Sequence, residues 1–240
     1  MAESSFTVPV ALPARLRINS RSGKVTVVAE DRADILVERG ATRQRDVEIT
    51  SANDVTIKSS RGGSEKIELR CPTGTDLVIG TLSGSVNVEG RAGAVMVSTA
   101  SGNITVERVL AADLRSVSGS LSVDTCSGRC RLKSTSGGAV AGDTGSAEVS
   151  TISGKIELGR VGGPVKARTA SGKVHVTAAG AHDVSVHSLS GAISIKLPAE
   201  VRPSTRIRTF SGRARNDFPE GHDCHIEIST MSGKVEVGPA

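Results

Sequence analysis

An all-β solenoid, one elongated domain of stacked coils (a parallel β-helix), is the fold class that this chain of 240 residues predicts. Three observations carry the prediction. Ser-Gly recurs at Ser83-Gly84, Ser101-Gly102, Ser118-Gly119, Ser136-Gly137, Ser153-Gly154, Ser171-Gly172, Ser190-Gly191, Ser211-Gly212 and Ser232-Gly233, with steps of 17 to 21 residues between glycines. A repeat of that length marks a unit that buries its apolar face only by stacking on its neighbours. On both sides of each motif, apolar and polar residues alternate with the period of a half-buried strand. The composition agrees: with no Trp, no Tyr, three Phe and 27 Gly, the core must be thin and filled by Val, Ile, Leu and Ala.

Each element follows from alignment on the glycine. Seven and five places before it stand Val95 and Val97, Ala112 and Leu114, Cys130 and Leu132, Ala147 and Val149, Val165 and Ala167, Val184 and Val186, Ile226 and Ile228. This is strand A. Two and four places after it stand Val86 and Val88, Ile104 and Val106, Leu121 and Val123, Ile156 and Leu158, Val174 and Val176, Ile193 and Ile195, Val235 and Val237. This is strand B. A Thr or Ser lies three places before each glycine, as at Thr99, Ser116, Thr151 and Thr169, and the residue after it is usually apolar. These hydroxyls and the glycines Gly102, Gly119, Gly154 and Gly172 read as structural corner elements: the hydroxyls bond corner backbone or one another, and glycine allows a conformation or close approach that a side chain forbids. Glu89 to Gly93, Asp143 to Gly145 and Gly162 to Pro164 read as turns joining one coil to the next.

The single domain is expected to span residues 1–240, with 1–80 a cap plus divergent coils and 81–240 the regular stack. Leu16 to Val27 repeats the coil once; strand-like runs follow at Ile35–Val37, Val47–Ile49, Val55–Ile57 and Ile67–Leu69. Terminal repeats of solenoids depart from the consensus because they cap the core. At the other end the final coil stops at Gly238-Pro239-Ala240, so its strand is expected to lack a neighbour. Either Ser5–Leu12 covers an end, or two chains abut as a weak end-to-end homodimer.

The run Cys71-Pro72-Thr73-Gly74-Thr75-Asp76-Leu77, followed by Thr81-Leu82-Ser83-Gly84-Ser85-Val86-Asn87-Val88-Glu89-Gly90 and the later Thr-x-Ser-Gly coils, resembles a bacterial β-strand-repeat family of unknown function whose members are commonly labelled putative adhesins. The resemblance covers nearly the whole chain. It implies a β-solenoid and offers no family catalytic residues to carry over.

The chemistry is non-catalytic by expectation. Ser-Gly recurs too often, and without a following helix, to be a nucleophile elbow. The densest candidate for metal ligation, His222-Asp223-Cys224-His225, places neighbours on opposite faces of a strand; Cys126 and Cys130 read as packing residues. No cofactor, catalytic residue or metal site is expected. The N-terminus lacks the basic start and apolar run of a secretory signal, and no stretch is apolar enough for a membrane span; a cytoplasmic protein is expected, with an exported chain the alternative. Charge is the sharper feature. Outward strand A positions hold Arg115, Arg131, Lys133, Lys166, Arg168, Arg206 and Arg208 against Asp113, Glu148 and Glu227, whereas outward strand B charges cancel. Two functions follow: a scaffold or protein-interaction module with an unidentified protein partner, or a module that binds an anionic polymer or membrane surface through the basic sheet.

Overall fold

The computed structural model describes residues 5–39, 47–58 and 66–240, all strand and connection with no helix among them. The chain divides into two compact units, Met1–Val123 and Asp124–Ala240. Each is a β-solenoid whose strands pair mostly in parallel and in register, so that like residues stack on like.

The first unit holds β1 (Phe6–Pro9), β2 (Arg15–Ser22), β3 (Val25–Glu30), β4 (Asp34–Arg39), β5 (Val47–Ser51), β6 (Asp54–Lys58), β7 (Ile67–Pro72), β8 (Asp76–Ser83), β9 (Val86–Ser101) and β10 (Ile104–Ser118). Alternation places Leu16, Ile18, Leu77, Ile79, Val95, Val97, Ala112 and Leu114 in one buried column set and Val25, Val27, Val86, Val88, Ile104 and Val106 in the other. Removal of each Val, Leu or Ile side chain from water stabilises by about 1.5–3 kcal/mol. The stacking does not follow chain order. β2 pairs on one side with β8 (Leu16 with Leu77) and on the other with β6 (Leu16 with Val55). β3 likewise lies between β9 and β7. Beyond these, pairing turns antiparallel: β5 on β6, β4 on β7 and β1 on β4. The segment from Ser5 thus forms an edge strand, with Val8 buried.

The second unit holds β11 (Leu121–Ser136) from Asp124 on, then β12 (Ala139–Ser153), β13 (Ile156–Val161), β14 (Val165–Ser171), β15 (Val174–Ala178), β16 (Val184–Ser190), β17 (Ile193–Leu197), β18 (Ser204–Asn216) and β19 (His225–Pro239). Coil follows coil as far as β16 and β17. The last strand then departs from the sequence expectation. β19 pairs with β16 and β17 on one side and with β18 along its other edge. Val235 and Val237 are therefore buried, and the inward apolar layer of β19 is covered on both edges. The physical reason lies in composition. Ile226, Ile228, Val235 and Val237 need a layer on both sides; of the matching positions of β18, Ile207 repeats Ile228, but Thr205, Ala214 and Asn216 are smaller or more polar than Ile226, Val235 and Val237 and leave little apolar surface exposed when placed outermost.

The connections differ from the expected turns in two places. Glu89 to Gly93 lies inside β9, and Asp143 to Gly145 lies inside β12. Strand B of one coil runs into strand A of the next with a shift of register, as between Val106 and Arg108 opposite β9. Glu107 falls outside the ladder at this bulge, and its carboxylate accepts the backbone N–H of Gly90 at 2.8 Å. A break at Gly162 to Pro164 does separate β13 from β14, where proline has no N–H for the ladder.

Candidate interaction face

The corners come first because they orient the face. In the second unit Thr169, Ser188 and Thr230 are buried, and each hydroxyl donates to the carbonyl two residues on: Thr169 Oγ1 to Ser171 at 3.2 Å, Ser188 Oγ to Ser190 at 3.2 Å and Thr230 Oγ1 to Ser232 at 3.0 Å. Thr151 Oγ1 donates to the carbonyl of Gly137 at 3.3 Å. In the first unit Thr99 and Ser116 are equally buried, but their hydroxyls, contrary to the expectation, have no hydrogen-bond partner among the described residues. Close approach fixes the glycines. At Gly154 (φ +154°) a Cβ would run into the Gly137 carbonyl oxygen of the neighbouring coil, and at Gly172 into that of Gly154; Gly102 and Gly119 meet the same obstacle from Gly84 and Gly102.

Sheet A of the second unit then presents three outward columns beside these corners. The first alternates in sign: Arg131, Glu148, Lys166, Ser185, Glu227 and Arg206, with Glu148 in register with Lys166 and Glu227 with Arg206. Glu148 is held by Arg129 Nη2 at 2.6 Å and Arg131 Nη2 at 2.9 Å. Those two guanidinium groups pull its carboxyl down to about 2.

The second column has no acid. It runs Lys133, Ser150, Arg168, His187, Ser229 and Arg208, with Arg168 between Ser150 and His187 and Ser229 between His187 and Arg208. Lys133, Arg168, His187 and Arg208 are exposed. Among the described residues no ion pair involves Lys133, Lys166, Arg168, Arg206 or Arg208. Of the basic residues singled out in the sequence, Arg131 is thus occupied by Glu148. Arg115 belongs to the first unit and is clamped by Asp113 through two bonds of 2.9 Å.

The third column is apolar and exposed: Ile152, Leu189, Met231 and Phe210, with half-buried Ala170 among them. Phe210 is 91% exposed. A shallow groove of about 420 Å³ follows the seam between second and third columns, lined by Arg168 and His187 on one side and by Ala170, Leu189 and Met231 on the other. This ridge had a signal in the sequence, the apolar residue that follows most of the corner hydroxyls. Its meaning was hidden because parity along strand A turns it outward, away from the core that apolar residues ordinarily fill.

The remaining candidates sit elsewhere. Cys71, Cys126, Cys130 and Cys224 are buried thiols. Burial pushes Cys71 up to about 11, and the Cys126 thiol together with burial pushes Cys130 higher still. Such groups are protonated and poor nucleophiles at neutral pH. In the 222–225 stretch Cys224 points inward while His222, Asp223 and His225 are exposed, and Asp223 accepts the backbone N–H of Arg202 at 2.8 Å. Among the described residues no helix is long and apolar enough to cross a membrane.

Stacked in-register coils with ladders of hydroxyl and glycine at one corner define the chain as a β-solenoid protein of the strand-repeat kind. It belongs to the Toastrack DUF4097 family, which matches residues 14–238. Two solved structures are similar in fold over nearly the full length. One is a putative adhesin from Parabacteroides merdae (12% identity, TM-score 0.57, covering 98% of this chain and 95% of that one). The other is a putative adhesin from Bacteroides fragilis (14% identity, TM-score 0.51, covering 98% of both chains). No curated protein matches the chain in sequence.

Proposed function

We propose that the chain is a non-catalytic interaction module that docks a partner protein on the outward face of sheet A in its second unit. One observation carries the reading. A column of cations without an acid runs beside an exposed apolar ridge, and single exposed apolar residues are ordinary where a periodic row of them is not. The ridge supplies area to bury, and the cations select a partner of negative potential. A photo-crosslinking residue placed at Leu189, with one at His175 on sheet B as control, tests it in cells. Adducts of defined mass are expected from position 189 alone, and their loss is expected on Arg168→Glu. Equal adducts from both positions, or none from 189, would contradict the reading.

The acid-free column favours a second reading, in which the same face lies on an anionic polymer or lipid surface. Binding to phosphatidylglycerol vesicles or to heparin would then fall steeply with salt. Arg168→Glu with Arg208→Glu would abolish it, while Lys155→Glu on sheet B would not.

A further inference from the structure

The reversed stacking of the last two strands has a functional side. β18 is thirteen residues long, and its only strand neighbour among the described residues is β19. The amides of Ser204 and Asp217, at its two ends, donate toward β19, to Cys224 at 2.8 Å and Val237 at 2.9 Å. Alternate residues of a strand point their backbone groups to opposite sides. The N–H and C=O groups of Thr205, Ile207 and Ala214 therefore face the open side, where nothing described pairs with them. Every residue from Phe210 to Asn216 is exposed. An unpaired edge of this length is a template for another strand.

The charge on this edge says which strand. Arg206, Arg208 and Arg213 carry no ion pair among the described residues, while Arg215 is engaged by Asp217 at 2.7 Å. A second copy would bring the same arginines against themselves, and like charges directly across a strand pair are unfavourable. We infer that the open edge of β18 is a strand-addition site for an extended acidic segment of a partner protein, with its carboxylates beside Arg206 and Arg208 and its backbone bonded to the amides of Thr205 and Ile207. This is the geometry in which main-chain bonds supply affinity and alternate side chains supply specificity. The inference shares Arg206 and Arg208 with the docking face of sheet A, but it rests on free backbone groups rather than on the apolar ridge.

The probe is a synthetic peptide alternating Glu and Val, as long as β18, with a Lys/Val peptide, an N-methylated Glu/Val peptide and single-stranded DNA as comparisons. Binding is read by fluorescence anisotropy and by hydrogen exchange over residues 204–216. The Glu/Val peptide alone is expected to bind and to protect the β18 amides. Ile207→Pro removes one open-side amide and leaves the bonds to β19 in place; it should weaken binding about tenfold, roughly the worth of one backbone hydrogen bond. Arg206→Glu with Arg208→Glu should abolish binding, whereas Leu189→Glu, on the ridge, should leave it unchanged. N-methylation of the peptide should abolish binding with the protein untouched, so a folding defect in the proline variant cannot imitate the result. Equal binding by the N-methylated peptide, or binding of DNA with no protection of β18, would overturn the inference.

Discussion

The outermost strands of the two units are finished differently. In the first unit, β6 and β7 lie outside β2 and β3, but they are covered in turn by antiparallel β5 and β4, and Leu69 of β7 is as buried as any interior residue. In the second unit β18 lies outside β19 and pairs with no further strand among the described residues, and Ala214 at its strand B position is exposed. Both units share one device. The strands β2 and β3 in one unit and β19 in the other are held second from the outside, with partners on both edges. The difference teaches that one outer coil is covered by antiparallel strands and the other, among the described residues, is left uncovered.

The sharpest way to break the comparison is to bury a charge at matched positions. Val235→Asp and Leu69→Asp each lose a buried side chain and strand a carboxylate, a cost of several kcal/mol. Against a typical total of about 5–15 kcal/mol, unfolding or aggregation of the altered unit is expected. Ala214→Asp, in register with Val235 but exposed, should change stability by no more than about 0.5 kcal/mol. Denaturant melts compare all three; equal losses at 214 and 235 would refute the stacking order.

Next in size comes the corner. Gly154→Ala forces a Cβ into a backbone carbonyl of the adjacent coil, and should cost about 1–3 kcal/mol. Gly138→Ala meets its nearest atom at an ordinary 3.5 Å, and should be neutral or stabilise by up to about 1 kcal/mol through the unfolded chain. Thermal melts of the two variants decide whether close stacking, rather than turn flexibility, explains the recurring glycine.

The smallest effect concerns the occupied part of the face. The Glu148 carboxyl titrates lower folded than unfolded, so its contribution is present above the ordinary carboxylate range and is lost as pH falls toward about 2. Its side chain is 35% exposed, so solvent screening holds the pair to less than about 1 kcal/mol. Glu148→Gln should melt slightly lower at neutral pH and match the parent near pH 2. Arg168→Gln, which breaks no ion pair, should leave the melt unchanged at both.

The regular coils were legible in the sequence because period two and a fixed corner translate directly into burial: outside β18, each strand A and strand B pair aligned on a glycine has its inward residues in the core, from Val86 to Val237. The exchange of β18 and β19 was not legible. Both carry the Thr-x-Ser-Gly corner, and periodicity says which face a residue takes but not which coil neighbours which. A hint was present in Thr205, Ala214 and Asn216, weak core residues at inward positions. The basic outward positions were readable from parity alone, but their pairing was not. That Arg129 joins Arg131 on Glu148 depends on stacking across coils. So does the freedom of Lys166, which lies in register with Glu148 yet makes no ion pair among the described residues.

Native-state hydrogen exchange resolved to β18 and β19 tests the central claim most directly. If β19 is locked between two layers and β18 is an open edge, the amides of 226–237 should exchange only through unfolding of the unit, and those of Thr205, Ile207 and Ala214 should exchange orders of magnitude faster. Equal protection of the two strands, or slower exchange in β18 than in β19, would contradict it.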